Sequence, residues 1–340
     1  MINLPYCCYK LKLASCIYLC LIATSQYGDS TPSAITTSSD RSVPSSYIAK
    51  MKGHSNIVST SSFSSDRRLL ATASKDCTIK LWNIDNQQCT ATLQEHTSSV
   101  NSCKFSPDDA LVASTSDDQS VRLWEVKSQR CVATLNGHTS GVHSCAFSAD
   151  GTVLASTSQD KTIRLWNAKT FMDMATIQGH NDWVGGCDIS HDGILASTSE
   201  DKTARLWDMN TQQCITVLTG HTRECYKCCF TADGTLLAST SMDKTVRLWD
   251  VRTRQSIATL EDSKWATMQC SFSSDGSWIA AACTADNVAR VWDVKALRCI
   301  ATLKHDDYVL ACSLSSNDMI ATAGGFEVLD DKDYRVHLWQ

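Results

Sequence analysis

Proline and glycine are both scarce in this sequence, at 4 and 14 of 340 residues. A collagen-like or a Pro/Gly-rich low-complexity chain is thereby excluded, and the turns must lean on Asp, Asn, Ser and Thr. Repeated long apolar runs are missing, so a polytopic membrane protein is excluded as well. Charge of one sign is lacking: Lys+Arg 31 against Asp+Glu 36 leaves −5, too mild and of the wrong sign for electrostatic nucleic-acid binding. There is no Gly-rich phosphate loop, no nucleophile elbow, no carboxylate pair outside repeated positions and no metal-ligand cluster. Those absences argue against an enzyme, a cofactor and a small-molecule substrate. What is present is an ordinary 43% of hydrophobic residues, enough for a sizeable core, and an unusual 18 cysteines.

The sequence repeats itself. Trp82, Trp124, Trp166, Trp207, Trp249, Trp292 and Trp339 follow one another at spacings of 42, 42, 41, 42, 43 and 47. Six residues before each stands an Asp: Asp76, Asp118, Asp160, Asp201, Asp243, Asp286 and Asp333. About 22 residues further upstream comes a His in most copies: His54, His96, His138, His180 and His221. Between these marks, short runs alternate apolar and polar residues and break at Asp-Gly or Asp-Asp, the period-2 pattern of strands. Four strands fit each copy: one ending near Phe105 or Phe147, one in Leu154–Ser158, one ending at the Trp, and one such as Cys131–Leu135.

Four strands per copy, the period and the Gly-His…Trp-Asp marks resemble the WD40 family over residues 47–340. The resemblance implies an all-β fold, a seven-bladed β-propeller with four antiparallel strands per blade. A literal Trp-Asp closes blades 4, 5 and 6, whereas Asn83, Glu125 and Asn167 stand in blades 1, 2 and 3. The seventh copy ends at Gln340 without a fourth strand, and residues 47–51, followed by Gly53-His54, match Cys131–Leu135 followed by Gly137-His138. The strand 47–51 is therefore expected to complete the last blade and close the ring, which removes an exposed sheet edge.

His, Ser and Asp recurring together could suggest a catalytic triad, but seven copies suit a structural network better. The family implies a hydrogen-bonded chain of His, strand Ser/Thr, turn Asp and Trp indole in each blade; in blade 3 these are His138, Ser156 or Ser158, Asp160 and Trp166. Blades 6 and 7 depart from the pattern and are expected to be the loosest. Ser263 fills the His slot of blade 6 and Ala282 replaces one strand Ser, while blade 7 keeps His305 but inserts residues 324–329 before Asp333. The family's upper-face positions, three and five residues after the His and just before the Asp, gather Trp183, Glu200, Glu224, Tyr226, Met242, Met268 and Tyr308 on blades 4–7, with Trp265 beside them. Aromatic and Met side chains favour protein or peptide partners, and the glutamates a basic flank.

The expected function is thus a non-catalytic interaction scaffold docking protein or peptide partners, with no nucleic acid. The alternative is a substrate receptor of a cullin-RING ubiquitin ligase: Trp249-Asp250-Val251-Arg252 resembles the adaptor-binding box, with Asp250 and Arg252 as contacts.

Six cysteines (Cys103, Cys145, Cys187, Cys228, Cys270 and Cys312) recur seven residues after the His slot, and Cys89, Cys131, Cys214 and Cys299 seven after the Trp. Both registers read as apolar slots, same-register cysteines being too far apart for disulfides. Cys225-Tyr-Lys-Cys228 lacks a second pair at zinc spacing, so no metal is expected. Unpaired thiols point to a reducing, cytoplasmic setting. Residues 1–23 carry an eleven-residue apolar stretch after Lys12 that suits a signal peptide and is short for a membrane anchor. A disordered extension and a start assigned too early remain open alternatives, and a membrane enters only if residues 11–23 anchor the chain. Residues 24–46, with twelve Ser/Thr in 23 positions, read as a flexible linker.

Overall fold

The computed structural model describes residues 46–261, 263–325 and 334–340. They fall within one compact unit, Val43–Gln340. The readings of residues 1–23 and of the linker as far as residue 45 lie outside the described residues, as does Asp333.

Seven four-stranded antiparallel sheets make up the unit, six of them simple up-and-down runs of consecutive strands and the seventh completed by the first described strand. Blade 1 runs Val58–Phe63, Leu69–Ser74, Ile79–Asn83 and Cys89–Leu93 from inside to outside. The inner strands Val58–Phe63, Val100–Phe105, Val142–Phe147, Val184–Ile189, Cys225–Phe230, Thr267–Phe272 and Val309–Leu314 pack each against the next, and the last returns to the first. This is the seven-bladed β-propeller. Its only described helix is a single 3₁₀ turn, Thr284–Asp286.

The ring closes where the repeat arithmetic places it. Tyr47–Lys52 lies antiparallel to Arg335–Trp339, with Tyr47 opposite Trp339 and Lys52 opposite Arg335, one residue longer than expected. Ser46 and Gln340 exchange backbone hydrogen bonds of 3.0 Å, and Ser61 and Ser313 hydroxyls meet at 2.8 Å between the inner strands of blades 1 and 7.

Each second strand is small and buried on both sides, as in Leu154-Ala-Ser-Thr-Ser158, because it lies between two neighbouring blades. The Trp of each blade wedges onto the sheet before it: Trp124 among Ala71, Ala73, Ile79 and Leu81, Trp166 among Ala113, Val121 and Leu123. Trp82 completes the circle by packing on Met51, Ala321, Val336 and Leu338 of blade 7. The apolar residues thus form seven inter-blade layers, each with a large buried aromatic among smaller apolar side chains.

Asp, Asn, Ser and Thr do hold the turns, largely as caps: Asp109, Asn287 and Asp318 are themselves left-handed, but most non-glycine left-handed positions carry Gln, Lys or Arg. Gln87, Gln129, Gln212 and Arg254 follow the third strand at φ of 60–62°, and Lys161, Lys202 and Lys244 follow the turn Asp at 70–77°. Side-chain caps enforce this conformation: Asp160 Oδ1 accepts from Thr162 N at 2.9 Å, and Asn167 Oδ1 from Thr170 N at 2.8 Å.

Candidate functional site

The repeated polar residues assemble as hydrogen-bonded chains in blades 1–5. In blade 3 the Trp166 indole donates to Ser156 Oγ at 2.8 Å, and Ser156 Oγ meets His138 Nε2 at 2.8 Å. His138 Nδ1 meets Asp160 Oδ2 at 2.8 Å. Since the Asp160 carboxylate can only accept, Nδ1–H donates to it, and the Ser156 hydroxyl, which accepts from the indole, has its own proton for Nε2. The same chain joins His54, Thr72, Asp76 and Trp82; His96, Ser114, Asp118 and Trp124; His180, Ser197, Asp201 and Trp207; and His221, Ser239, Asp243 and Trp249. The open choice between Ser156 and Ser158 resolves in favour of Ser156. Ser158 instead donates to Gly141 O at 2.9 Å and accepts from Asp160 N at 3.1 Å.

A fifth member escaped the sequence reading. Thr162 donates its hydroxyl to Asp160 Oδ1 at 2.6 Å, and Thr78, Ser120, Thr203 and Thr245 do the same in their blades. Its signal is a Thr or Ser two residues after the Asp in blades 1–5 and in neither of the last two. Burial would raise these five carboxyls, but their His, hydroxyl and backbone N–H partners outweigh it and hold them well below the usual carboxylate range.

Blades 6 and 7 differ as expected in composition, with one correction. The slot equivalent to Ser156 is Ala281, which lies opposite Cys270 as Ser156 lies opposite Cys145; Ala282 stands in the Thr157 slot. Among the described residues, the buried Trp292 Nε1 consequently has no partner. Asp286 pairs with Arg290 at 2.7 Å instead of with a His. In blade 7, His305 Nε2 and the Trp339 indole both meet Thr322 Oγ1, at 3.0 and 2.8 Å. Restoring the hydroxyl by Ala281→Ser should give Trp292 its acceptor and stabilise the fold by about 1 kcal/mol in urea titration. An unchanged or lower midpoint would show that blade 6 has no room for this bond.

The upper-face slots converge by a backbone bond that recurs around the ring. The residue before the turn Asp donates its N–H to the residue three after the His: Gln159 to Gly141, Glu200 to Trp183 and Met242 to Glu224, at 2.9–3.0 Å. In blade 6 the bond runs from Thr284 to Ala266, one residue earlier, and in blade 7 from Gly325 to Tyr308. Trp183, Glu200, Glu224, Tyr226, Met242, Trp265, Met268 and Tyr308 are all half-buried. Trp183 stacks on His143 with centroids 6.3 Å apart, and Lys244 Nζ lies 5.6 Å from the Trp265 ring. Gly185 and Gly186 bring the inner strands of blades 4 and 5 together: a Cβ on Gly186 would lie 2.7 Å from Tyr226 O.

On the opposite turns, Asp250 Oδ1 accepts from Thr253 N and Oγ1 at 2.6 and 2.8 Å, while Arg252 is exposed. Asn83, Asn167, Asp208 and Asp293 cap the equivalent turns, so the residue after the Trp is a turn cap.

The cysteine reading needs a correction. The six inner-strand cysteines are buried, but Cys89 and Cys214 are exposed and Cys131 and Cys299 half-exposed, because that register lies on the outermost strand, which no further strand covers. None of the fourteen described cysteines is in a disulfide, and no metal-binding group of His, Cys, Asp or Glu occurs among the described residues.

Sequence reasoning also missed the axis. All seven inner strands line a central cavity of about 60 Å³, into which Lys104, Asp188, Lys227 and Gln269 are built among serines and cysteines. Lys227 Nζ donates across it to His143 O at 2.8 Å, and burial pulls the Lys227 ammonium down to about 8. Asp188 is pushed up by burial, and its Oδ2 accepts from Phe230 N at 2.8 Å.

Burial pulls His143 down to about 3, helped by the Lys227 charge, and His305 down to about 3, helped by His337. Both are neutral when folded and take protons near pH 6.5 when unfolded. The unfolded state therefore binds more protons between pH 6.5 and 3, and stability falls as pH falls through that window. The expected slope is up to about 1.4 kcal/mol per pH unit for each His, and His143→Gln should flatten it. Equal slopes for the two proteins from pH 6.5 to 5 would refute this.

Seven four-stranded blades, five of them bonded by a chain of His, Ser/Thr, Asp and Trp, define the class: this is a WD40-repeat propeller. The family model described as WD domain, G-beta repeat matches residues 45–83 and 87–125, and that described as IFT122 first beta-propeller matches residues 114–340. The chain belongs to the IFT122 first beta-propeller family. No curated protein matches it.

Proposed function

We propose that this propeller is a non-catalytic platform that docks a protein or peptide partner on the upper face of blades 4–7. The observation that carries the reading is the half-burial of Trp183, Tyr226, Met242, Met268 and Tyr308 around the turns joined by the recurring backbone bond. A half-buried aromatic keeps a fixed rotamer and still offers a face, which is how interface anchors lose little entropy on binding. Glu200 and Glu224 on the same turns favour a basic flank on the partner. Family membership supports the scaffold, since such propellers work through loop surfaces carried on a rigid ring. The free thiols suit a reducing compartment such as the cytoplasm.

The experiment is proximity labelling and pull-down with the full chain and with Trp183→Ala/Tyr226→Ala. Loss of a set of partners by at least about tenfold, with the melting curve unchanged, is the expected result. An unchanged partner set would refute the docking face. The ligase-adaptor reading rests on Arg252, since the Asp250 oxygen is already used as a cap. It predicts cullin-adaptor capture that Arg252→Ala abolishes.

A further inference from the structure

We infer that Cys229 and Cys270 form an oxidisable dithiol in the wall of the central channel, which a small peroxide converts into a disulfide joining blades 5 and 6. The two sulfurs are 3.3 Å apart in an S–H···S contact. They come from different registers: Cys270 is a repeated inner-strand cysteine, whereas Cys229 is one position beyond that slot on its own strand, next to Cys228. Neighbours along a strand face opposite sides, so Cys228 packs in the layer between blades 4 and 5 and Cys229 against the layer between blades 5 and 6. This offset brings the pair together where same-register thiols stay apart.

Access and consequence follow from the same placement. Both residues line the axial cavity of about 60 Å³. That space holds a few water-sized molecules and admits hydrogen peroxide, but it is too small for glutathione disulfide. One thiol, as thiolate, attacks a peroxide oxygen; the O–O bond breaks, water leaves, and that cysteine becomes a sulfenic acid. The second sulfur then attacks the sulfenic sulfur, the S–S bond forms, and a second water leaves. Two thiols and one hydrogen peroxide thus give one disulfide and two waters, two electrons passing to the peroxide. The contact with Cys270, followed by burial, holds the Cys229 thiol well above its ordinary value, so little of it is thiolate and the pair reacts slowly. The bond would fasten blade 6, whose Trp292 indole has no partner among the described residues, to blade 5, whose chain from His221 to Trp249 is complete.

The test treats the purified full chain with hydrogen peroxide and maps its peptides without reduction. The expected result is a linked pair containing Cys229 and Cys270, short by two hydrogens and separated again by dithiothreitol. The melting midpoint should rise by about 5 °C in the wild-type protein and in Cys103→Ser, but not in Cys229→Ser or Cys270→Ser. If a serine variant fails to fold, the wild-type peptide map still decides. Free alkylation of both cysteines after oxidation, or added oxygen on either without a linked pair, would overturn the inference.

Discussion

A chain lacking residues 47–52 is expected to lose its closed ring, with a melting midpoint lower by about 10 °C or more and self-association on sizing. The strand does two things at once. It pairs along the whole of Arg335–Trp339, so its loss bares the backbone of a buried strand over that length. It also inserts Ala49 and Met51, both buried, into the layer that holds Trp82, Val336 and Leu338. Removing Met51 alone leaves a cavity beside Trp82 that costs about 2–5 kcal/mol. Losing the strand adds the unpaired N–H and C=O groups, and an open edge recruits a strand from another chain. Met51→Ala separates the two effects: it should lower the midpoint yet leave the protein monomeric. If the truncated chain eluted and melted like the full one, blade 7 would not depend on this strand.

The period carried most of the architecture, because the Trp packs in the same way in every blade and the turn Asp and the His do the same physical work in blades 1–5. Details set by register were harder to read. Ser156 and Ser158 lie two apart and face the same side of their strand, so alternation cannot separate them. Pairing can: Ser156 lies opposite Arg164, two residues from Trp166, and the indole reaches it. The channel was hidden for a similar reason. Each inner strand shifts register near its start, as between Cys225 and Cys228, and only after that shift is Lys227 seen to reach across the axis to His143 O. Thr162 was readable in principle, from a Thr or Ser two residues after the Asp in five copies. The exposed Cys89 and Cys214 look apolar by residue type, but the outermost strand has a neighbour on one edge alone.

The polar chain of a single blade should be worth several kcal/mol, and Asp160→Asn tests it without changing shape. The carboxylate accepts four bonds, from His138 Nδ1, Thr139 N, Thr162 N and Thr162 Oγ1. An amide oxygen can serve one side of that set, and its NH₂ then faces donors on the other. Either Thr162 loses its acceptor, or His138 must move its proton to Nε2, where the Ser156 hydroxyl already donates. That hydroxyl would have to turn away, so the conflict runs along the chain as far as the Trp166 indole. A buried donor left unmet costs about 1–3 kcal/mol, and the coupled set should cost about 3 kcal/mol in urea titration. Hydrogen exchange should quicken first in blade 3, because each blade packs chiefly on its two neighbours. Asp118→Asn should cost a similar amount, since His96, Thr97 and Ser120 surround that carboxylate in the same way. Asp286→Asn keeps an acceptor for Lys264 N and Arg290 but leaves the half-buried guanidinium without its counter-charge, so its loss has a different origin, with no imidazole tautomer at stake. A loss at Asp160 below about 1 kcal/mol would mean that the His-to-Trp relay contributes nothing beyond the capping of a turn.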